Sequence, residues 1–404
     1  MKVRGLLLLA ALGILAAACD SKSKKVDLPV DLTDIANPTV RVNRLWSASV
    51  GGGGKKLRLG LGLSSGGDRL FAAGHDGDVA AFNLKNGRQI WRTKTDLPLA
   101  GGTGTNGNVV AVGSADGVIV VLAADNGAER WRANVGGEVL SAPAVADDQV
   151  VVRTVDGRLH ALSLADGKPL WEAEQNIPRL TLRGVSTPVV ARDLALSGFD
   201  NGRVIAVSLE DGATVWEAAV SPSKGRTELE RLNDIDSAVK VVGDDVFVAG
   251  FQGRAGMLAL DSGQVWWARE ISSYRGVDVD DDHLYVSTSS GELLALSRRS
   301  GGEVWRNESV KFRSLSAPAV VGDYVVVADL ESYVHWFDRA TGAAAGRAKT
   351  SGDRINNAPL VVDDVLYVIS DKGDITALKG VPIAARNRPR DAAPAEPAAQ
   401  PAGG

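Results

Sequence analysis

Short β-branched and apolar runs alternate with polar turns along most of the chain, on a repeating period. Eight turns mark the pattern: His75-Asp76-Gly77, Ala115-Asp116-Gly117, Val155-Asp156-Gly157, Asp200-Asn201-Gly202, Phe251-Gln252-Gly253, Ser289-Ser290-Gly291, Leu330-Glu331-Ser332 and Asp371-Lys372-Gly373. Each follows a β-branched run and precedes an apolar one such as Arg158-Leu159-His160-Ala161-Leu162. That is a hairpin, and the turn glycine supplies the positive φ it needs. Most copies continue into a second turn and a tryptophan: Gly87 to Trp91, Gly127 to Trp131, Gly167 to Trp171, Gly212 to Trp216, Gly263 to Trp266 and Gly301 to Trp305. The tryptophans follow one another at 40, 40, 45, 50 and 39 residues. A period of roughly 40–50 residues with four strands per unit predicts propeller blades.

Counting suggests how the ring closes. Trp46 is an outer-strand tryptophan with no hairpin before it, and Lys372-Gly373 is a hairpin with no outer strand after it. Joining the two completes a blade from both chain ends and removes two free sheet edges. The expected fold is therefore all-β, an eight-bladed Trp-docking β-propeller over residues 41–380, with seven blades as the competing count. The seventh unit carries Gly346 where tryptophan is expected, so its rim is degenerate. Each tryptophan reads first as packing between blades, where it buries roughly 150–250 Å².

The N-terminus reads as an address. Met1-Lys2-Val3-Arg4, the apolar run Leu6 to Leu15 and then Ala16-Ala17-Ala18 describe an export signal over residues 1–18. Its apolar part is shorter than the roughly 20 residues of a membrane span. Cys19 follows directly and is the one cysteine in 404 residues, which excludes an intramolecular disulfide and points to lipidation at this residue. Ala16 stands where a lipobox usually carries leucine, and Asp20 resembles an inner-membrane retention signal. Residues 19–40 then read as a lipidated N-terminus and flexible tether, and residues 381–404 as a disordered Ala/Pro-rich tail.

Composition narrows the function. Glycine is high, at 46, as many tight turns require. Net charge is −4, and losing Lys2 and Arg4 with residues 1–18 takes it to −6. With no long basic tract, nucleic acid is not an expected partner. His75, His160, His283 and His335 fall in four different repeats, so no metal site is expected.

An exported, lipidated eight-fold propeller of this kind resembles the BamB family, lipoproteins of the outer-membrane β-barrel assembly machinery. Asp166-Gly167-Lys168-Pro169-Leu170-Trp171 is shared with quinoprotein-type propellers in general. More specific are Leu180-Thr181-Leu182-Arg183-Gly184, similar to the family's Leu-x-Leu-Arg-Gly loop, and the acidic loop running from Thr227 to Asp236. The resemblance implies that Leu180, Leu182, Arg183, Asp234 and Asp236 dock the periplasmic domains of the barrel-inserting subunit. It also implies contact with unfolded outer-membrane proteins, a lipid anchor in the outer membrane, and no catalysis or cofactor. Independently of the resemblance, both segments lie between an outer-strand tryptophan and the next inner strand. They should emerge on one face, from consecutive junctions, and loops on a stiff scaffold commonly carry binding residues. Arg183 could pair with Asp234, Asp236 or a partner carboxylate. The bland alternative is an internal Arg–Asp bridge that only orders the loops.

Two other readings compete. Quinone-dependent dehydrogenases share the blade motif, but many stack their cofactor on a disulfide, which one cysteine cannot form. Asp280-Asp281-Asp282 reads as a solvated turn, and Gly51-Gly52-Gly53-Gly54 lacks the Gly-Lys-Ser/Thr of a phosphate-binding loop. For a polymer-binding propeller, Tyr274, Tyr324 and Trp336 are the candidate aromatic platforms.

Overall fold

The computed structural model describes residues 27–52, 61–178, 184–221, 233–350 and 352–383. Expectations resting on Cys19, on the signal segment, on Gly53 and Gly54 or on the tail beyond residue 383 fall outside them, while Val381 and Pro382, read from the sequence as the start of the tail, end a strand instead. Eight four-stranded antiparallel sheets form a ring, and no helix occurs among the described residues. Blades 1 to 7 span residues 64–94, 104–134, 144–174, 189–219, 240–270, 277–307 and 319–349. Blade 8 takes three strands from residues 360–382, and its outermost strand, Val40–Ser49, comes from the other chain end. That strand pairs antiparallel with Asp374–Pro382, from Val40 opposite Pro382 to Ser49 opposite Asp374. The short innermost strands of neighbouring blades adjoin one another around the axis. Eight blades, closed by both termini, is the architecture.

The core lies between blades. Eight buried apolar clusters fill the eight junctions; Trp171, Phe199, Ile205 and Val151 sit in the one between blades 3 and 4. Each outer-strand tryptophan lays its ring on a turn glycine of the next blade. A Cβ on Gly167 would stand 2.6 Å from Trp131, and one on Gly87 would stand 2.4 Å from Trp46. The indole N–H donates to the same blade, as from Trp46 to the Leu84 carbonyl at 2.9 Å and from Trp171 to the Leu209 carbonyl at 2.8 Å. Trp46 thus docks blade 8 on blade 1.

Two details correct the sequence reading. In blade 5 the docking residue is Trp267, not Trp266: its indole donates to the Arg298 carbonyl at 2.8 Å and its ring covers Gly301. Every outer strand carries a bulge beside its docking position, and in blade 5 Met257 opposes Trp267 while Leu258 opposes Val265. Trp266 is the extra residue, so it turns outward and is 55% exposed. In blade 7 the tryptophan has changed strands: Trp336, on the third strand, lies opposite Gly346 on the outer one. Trp336 is fully buried, which removes it as a ligand platform. Its indole nitrogen is buried without a hydrogen-bond partner. Val40 packs on Gly346, and the Thr39 N–H donates to the Ala345 carbonyl at 2.9 Å, so the closing strand covers this joint.

Residues 28–39, the last part of the expected tether, lie along blades 6 and 7. The Val30 N–H donates to the Lys311 carbonyl at 3.1 Å, and its own carbonyl accepts from Arg313 at 3.0 Å. Leu32 packs against the apolar cluster between blades 6 and 7. Arg313 is itself buried and ion-paired with Asp329 at 2.6 Å and with Glu331. Phe312 and Ser314 flank it with φ of +57° and +51°, a left-handed conformation that non-glycine residues adopt at a cost.

Candidate functional site

The outer-to-inner connections and the hairpin turns share one face of the ring. In seven of the eight blades, all but blade 4, a backbone N–H of the hairpin donates to the described connection leading into its blade, as Val155 to Glu138, Phe251 to Asp234 and Leu330 to Arg313. Two of these connections carry the residues singled out from the sequence. Leu180, Leu182 and Arg183 lie outside the described residues, whereas Gly184 onward and Asn233 onward are described.

The two connections meet. A Cβ on Gly184 would stand 2.7 Å from an Asp236 carboxylate oxygen, so the backbone next to Arg183 runs directly against Asp236. Ser186 donates through its hydroxyl to the Ser237 carbonyl at 2.8 Å, and the same oxygen accepts the Gly198 N–H at 3.2 Å. Ser237 donates to the Ala249 carbonyl at 3.2 Å. Between the two acids, Ile235 is fully buried and its side chain occupies the space a Cβ would take on Gly198. Asn233 donates to the Ser221 carbonyl, and the Ser221 hydroxyl accepts the Arg254 N–H at 2.7 Å. Gly253 lacks the side chain that would strike Ser221 and Asn233. Here the hairpin places its positive φ one residue earlier than its siblings, on Gln252 at +47°.

Beneath this junction lies a charge that the sequence reading did not find. Arg153 is fully buried at the end of a blade 3 strand, and reaches across to blade 4. It lies 3.5 Å from Asp200 and its guanidinium carbon is 3.9 Å from the centre of the Phe199 ring. Burial pushes the Asp236 carboxyl well above the usual range, with the nearby charges of Asp200 and Asp234 adding to the effect. Burial also raises Asp200, with Arg153 opposing. Asp234 is fully buried beneath the junction, whereas Asp236 is half-buried on the wall of the central channel.

That channel is a cavity of about 520 Å³ lined by the innermost strands, with Thr103, Leu140, Asp236, Arg275 and Asn356 among its walls. Arg275, from the lead-in to blade 6, donates at 2.9 Å to Asn356, from the lead-in to blade 8. Tyr274 stands edge-on to Phe251, with the Arg275 guanidinium over its ring. No three His, Cys, Asp or Glu side chains gather as metal ligands would among the described residues. In the acidic run, Asp282 and its neighbour Asp281 are exposed. Asp280 instead accepts the N–H groups of Asp282 and His283 and the Tyr285 hydroxyl, at 2.9, 2.7 and 2.8 Å, so it ties the turn together rather than being simply solvated.

Known proteins resemble this ring over nearly its whole length. A family model described as outer membrane protein assembly factor BamB matches residues 75–307 and 290–382. The chain is 43% identical over 369 residues to the protein of that name from Pseudomonas aeruginosa, covering 91% of this chain and 97% of the relative. It is also 43% identical over 376 residues to the one from Alkalilimnicola ehrlichii, covering 93% and 97%. The crystal structure of BamB from Moraxella catarrhalis superposes with a TM-score of 0.77 at 26% identity, over 84% of this chain and 100% of that one. A quinohemoprotein alcohol dehydrogenase from Comamonas testosteroni shares the fold at TM-score 0.67 and 12% identity, over 84% and 76% of the two chains.

Proposed function

This chain belongs to the family of outer membrane protein assembly factor BamB, and we propose that it docks other subunits on the junction of blades 3, 4 and 5. It is a scaffold subunit of the outer membrane protein assembly complex, working at the periplasmic side of that machinery. The docked partner in this reading is the barrel-inserting subunit, through its periplasmic domains, with unfolded barrel proteins as transient clients. Leu180 and Leu182 supply apolar contact, Arg183 pairs with a carboxylate, and Asp234 and Asp236 brace the loops from below. One observation carries the reading: Gly184, directly after Arg183, packs on Asp236, so two segments from different repeats converge in one place. At the matching step of the blade 6–7 connection, Arg313 is ion-paired inside the protein. An arginine of this kind orders its loop and so presents the leucines beside it.

The likeness to the dehydrogenase reaches the fold alone, and the scaffold carries no reaction step in this reading. Pull-down with the mature propeller from detergent-solubilised membranes should recover the barrel-inserting subunit; its absence would overturn the reading. Arg183→Glu should weaken docking by about 2–5 kcal/mol in calorimetry if the arginine meets a partner carboxylate. Unchanged affinity would confine Arg183 to loop ordering. The anchor is tested separately: Cys19→Ser should abolish palmitate labelling and release the protein from membranes, and a variant that still labels would refute lipidation at this residue.

A further inference from the structure

Gly198 gathers the contacts that hold the docking junction together. Its N–H is taken by Ser186, its missing side chain admits Ile235, and its carbonyl accepts from Arg153 at 2.5 Å. Three elements therefore meet on one residue: the lead-in to blade 4, the lead-in to blade 5, and a side chain reaching over from blade 3. The matching strand ends of the other blades carry Ala73, Gly113, Gly198, Ala249, Ser287, Ala328 and Ile369. Only blade 3 places a charge at this step, and it does so with full burial. A fully buried guanidinium is costly to desolvate unless its surroundings compensate. Here burial still pushes the Arg153 guanidinium below its ordinary value, and Asp200, Asp236, Asp156 and Asp234 offset part of that by favouring the cation.

We propose that Arg153 is a positioning residue for subunit docking: by gripping Gly198, stacking on Phe199 and balancing the buried acids, it fixes residues 233–237 against residues 184–186. It does not touch the partner. This inference rests on the reading that the blade 3–5 junction is the docking surface. A lysine could keep the charge, but it has neither the planar fork nor the stacking face that the site uses.

The test is calorimetric titration of the mature propeller with the purified periplasmic domains of the barrel-inserting subunit, alongside amide hydrogen exchange and thermal melts. Arg153→Met should weaken binding by about tenfold or more and speed exchange at residues 184–186 and 233–237, with the other blades unaffected. Arg153→Met combined with Asp200→Asn should recover most of that loss, because the uncompensated carboxylate is then gone. A residue that served packing alone would show no such recovery. If Arg153→Met does not fold, Arg153→Lys carries the same test and should bind more weakly at an unchanged fold. Wild-type affinity in the Arg153 variants, while Leu182→Asp loses binding, would overturn the inference and leave the docking surface standing. Wild-type affinity in Leu182→Asp would remove the docking surface itself, and the inference with it.

Discussion

Asp236 stands where other repeats carry an apolar residue: Leu140, Val185 and Leu315 each precede a serine close to the start of an innermost strand, as Asp236 precedes Ser237. A carboxyl in that setting binds its proton more tightly in the folded protein than in the unfolded chain, whose ordinary value is 3.8. The folded state therefore gains stability from this group as pH falls toward that ordinary value, and loses it as pH rises through the raised one. Asp236→Asn should flatten this part of the stability curve, read as melting temperature between about pH 4 and 8. An unchanged pH profile would show that Asp236 does not titrate in that way. Asp234 and Asp236 were legible through the resemblance of their acidic loop; of the two, only Asp236 breaks an apolar position, since the residues matching Asp234, Glu138 and Arg313, are themselves charged. Arg153 was not, since a charge closing a run such as Gln149-Val150-Val151-Val152-Arg153 reads as an ordinary strand end. Its partners lie 45 and 47 residues away on another blade, and a one-dimensional pattern carries no trace of such a contact.

The blade joint is a tryptophan set on a glycine, and blade 7 shows how far that unit can be rearranged. Moving the indole from the outer strand to the third keeps the volume filled, but leaves its N–H without an acceptor. Trp336→Phe should consequently cost buried area alone, whereas Trp171→Phe loses a hydrogen bond as well as area. The second should be the more destabilising by about 1 kcal/mol in denaturant melts. Equal costs would mean that the Trp171 hydrogen bond contributes nothing net. The hairpins and the period were readable because turn chemistry is local. The Trp266–Trp267 choice turns on a bulge, which leaves its mark in a spacing: Trp91, Trp131, Trp171, Trp216 and Trp305 each lie four residues after a turn glycine, and so does Trp267 after Gly263. Blade 7 also shows Ser332 holding a φ of +64° where its siblings have glycine. Burial of the serine beside Asp329 holds that turn, and such a tertiary cause leaves no sequence signal.

At the scale of the ring, closure depends on one strand delivered from far away in sequence. Deleting residues 27–49 removes the outer strand of blade 8, Trp46 on Gly87 and Val40 on Gly346 together. It also exposes the edge of Asp374–Pro382 to pairing with other chains. Such a protein should associate or lose its cooperative melt, visible by size-exclusion chromatography with light scattering; a stable monomer would show that the last blade is dispensable. The same terminal segment has a mechanical consequence. Because Val30 is held at blades 6 and 7, a leash from the lipid proposed at Cys19 would be counted to residue 30 and not to residue 40. Eleven residues reach at most about 40 Å, against roughly 70–75 Å for twenty-one. With that anchor in place, a shorter leash would confine the disc to a thin layer beneath the bilayer and limit how far it can swing, so its loop-bearing face would meet partners from a restricted set of angles.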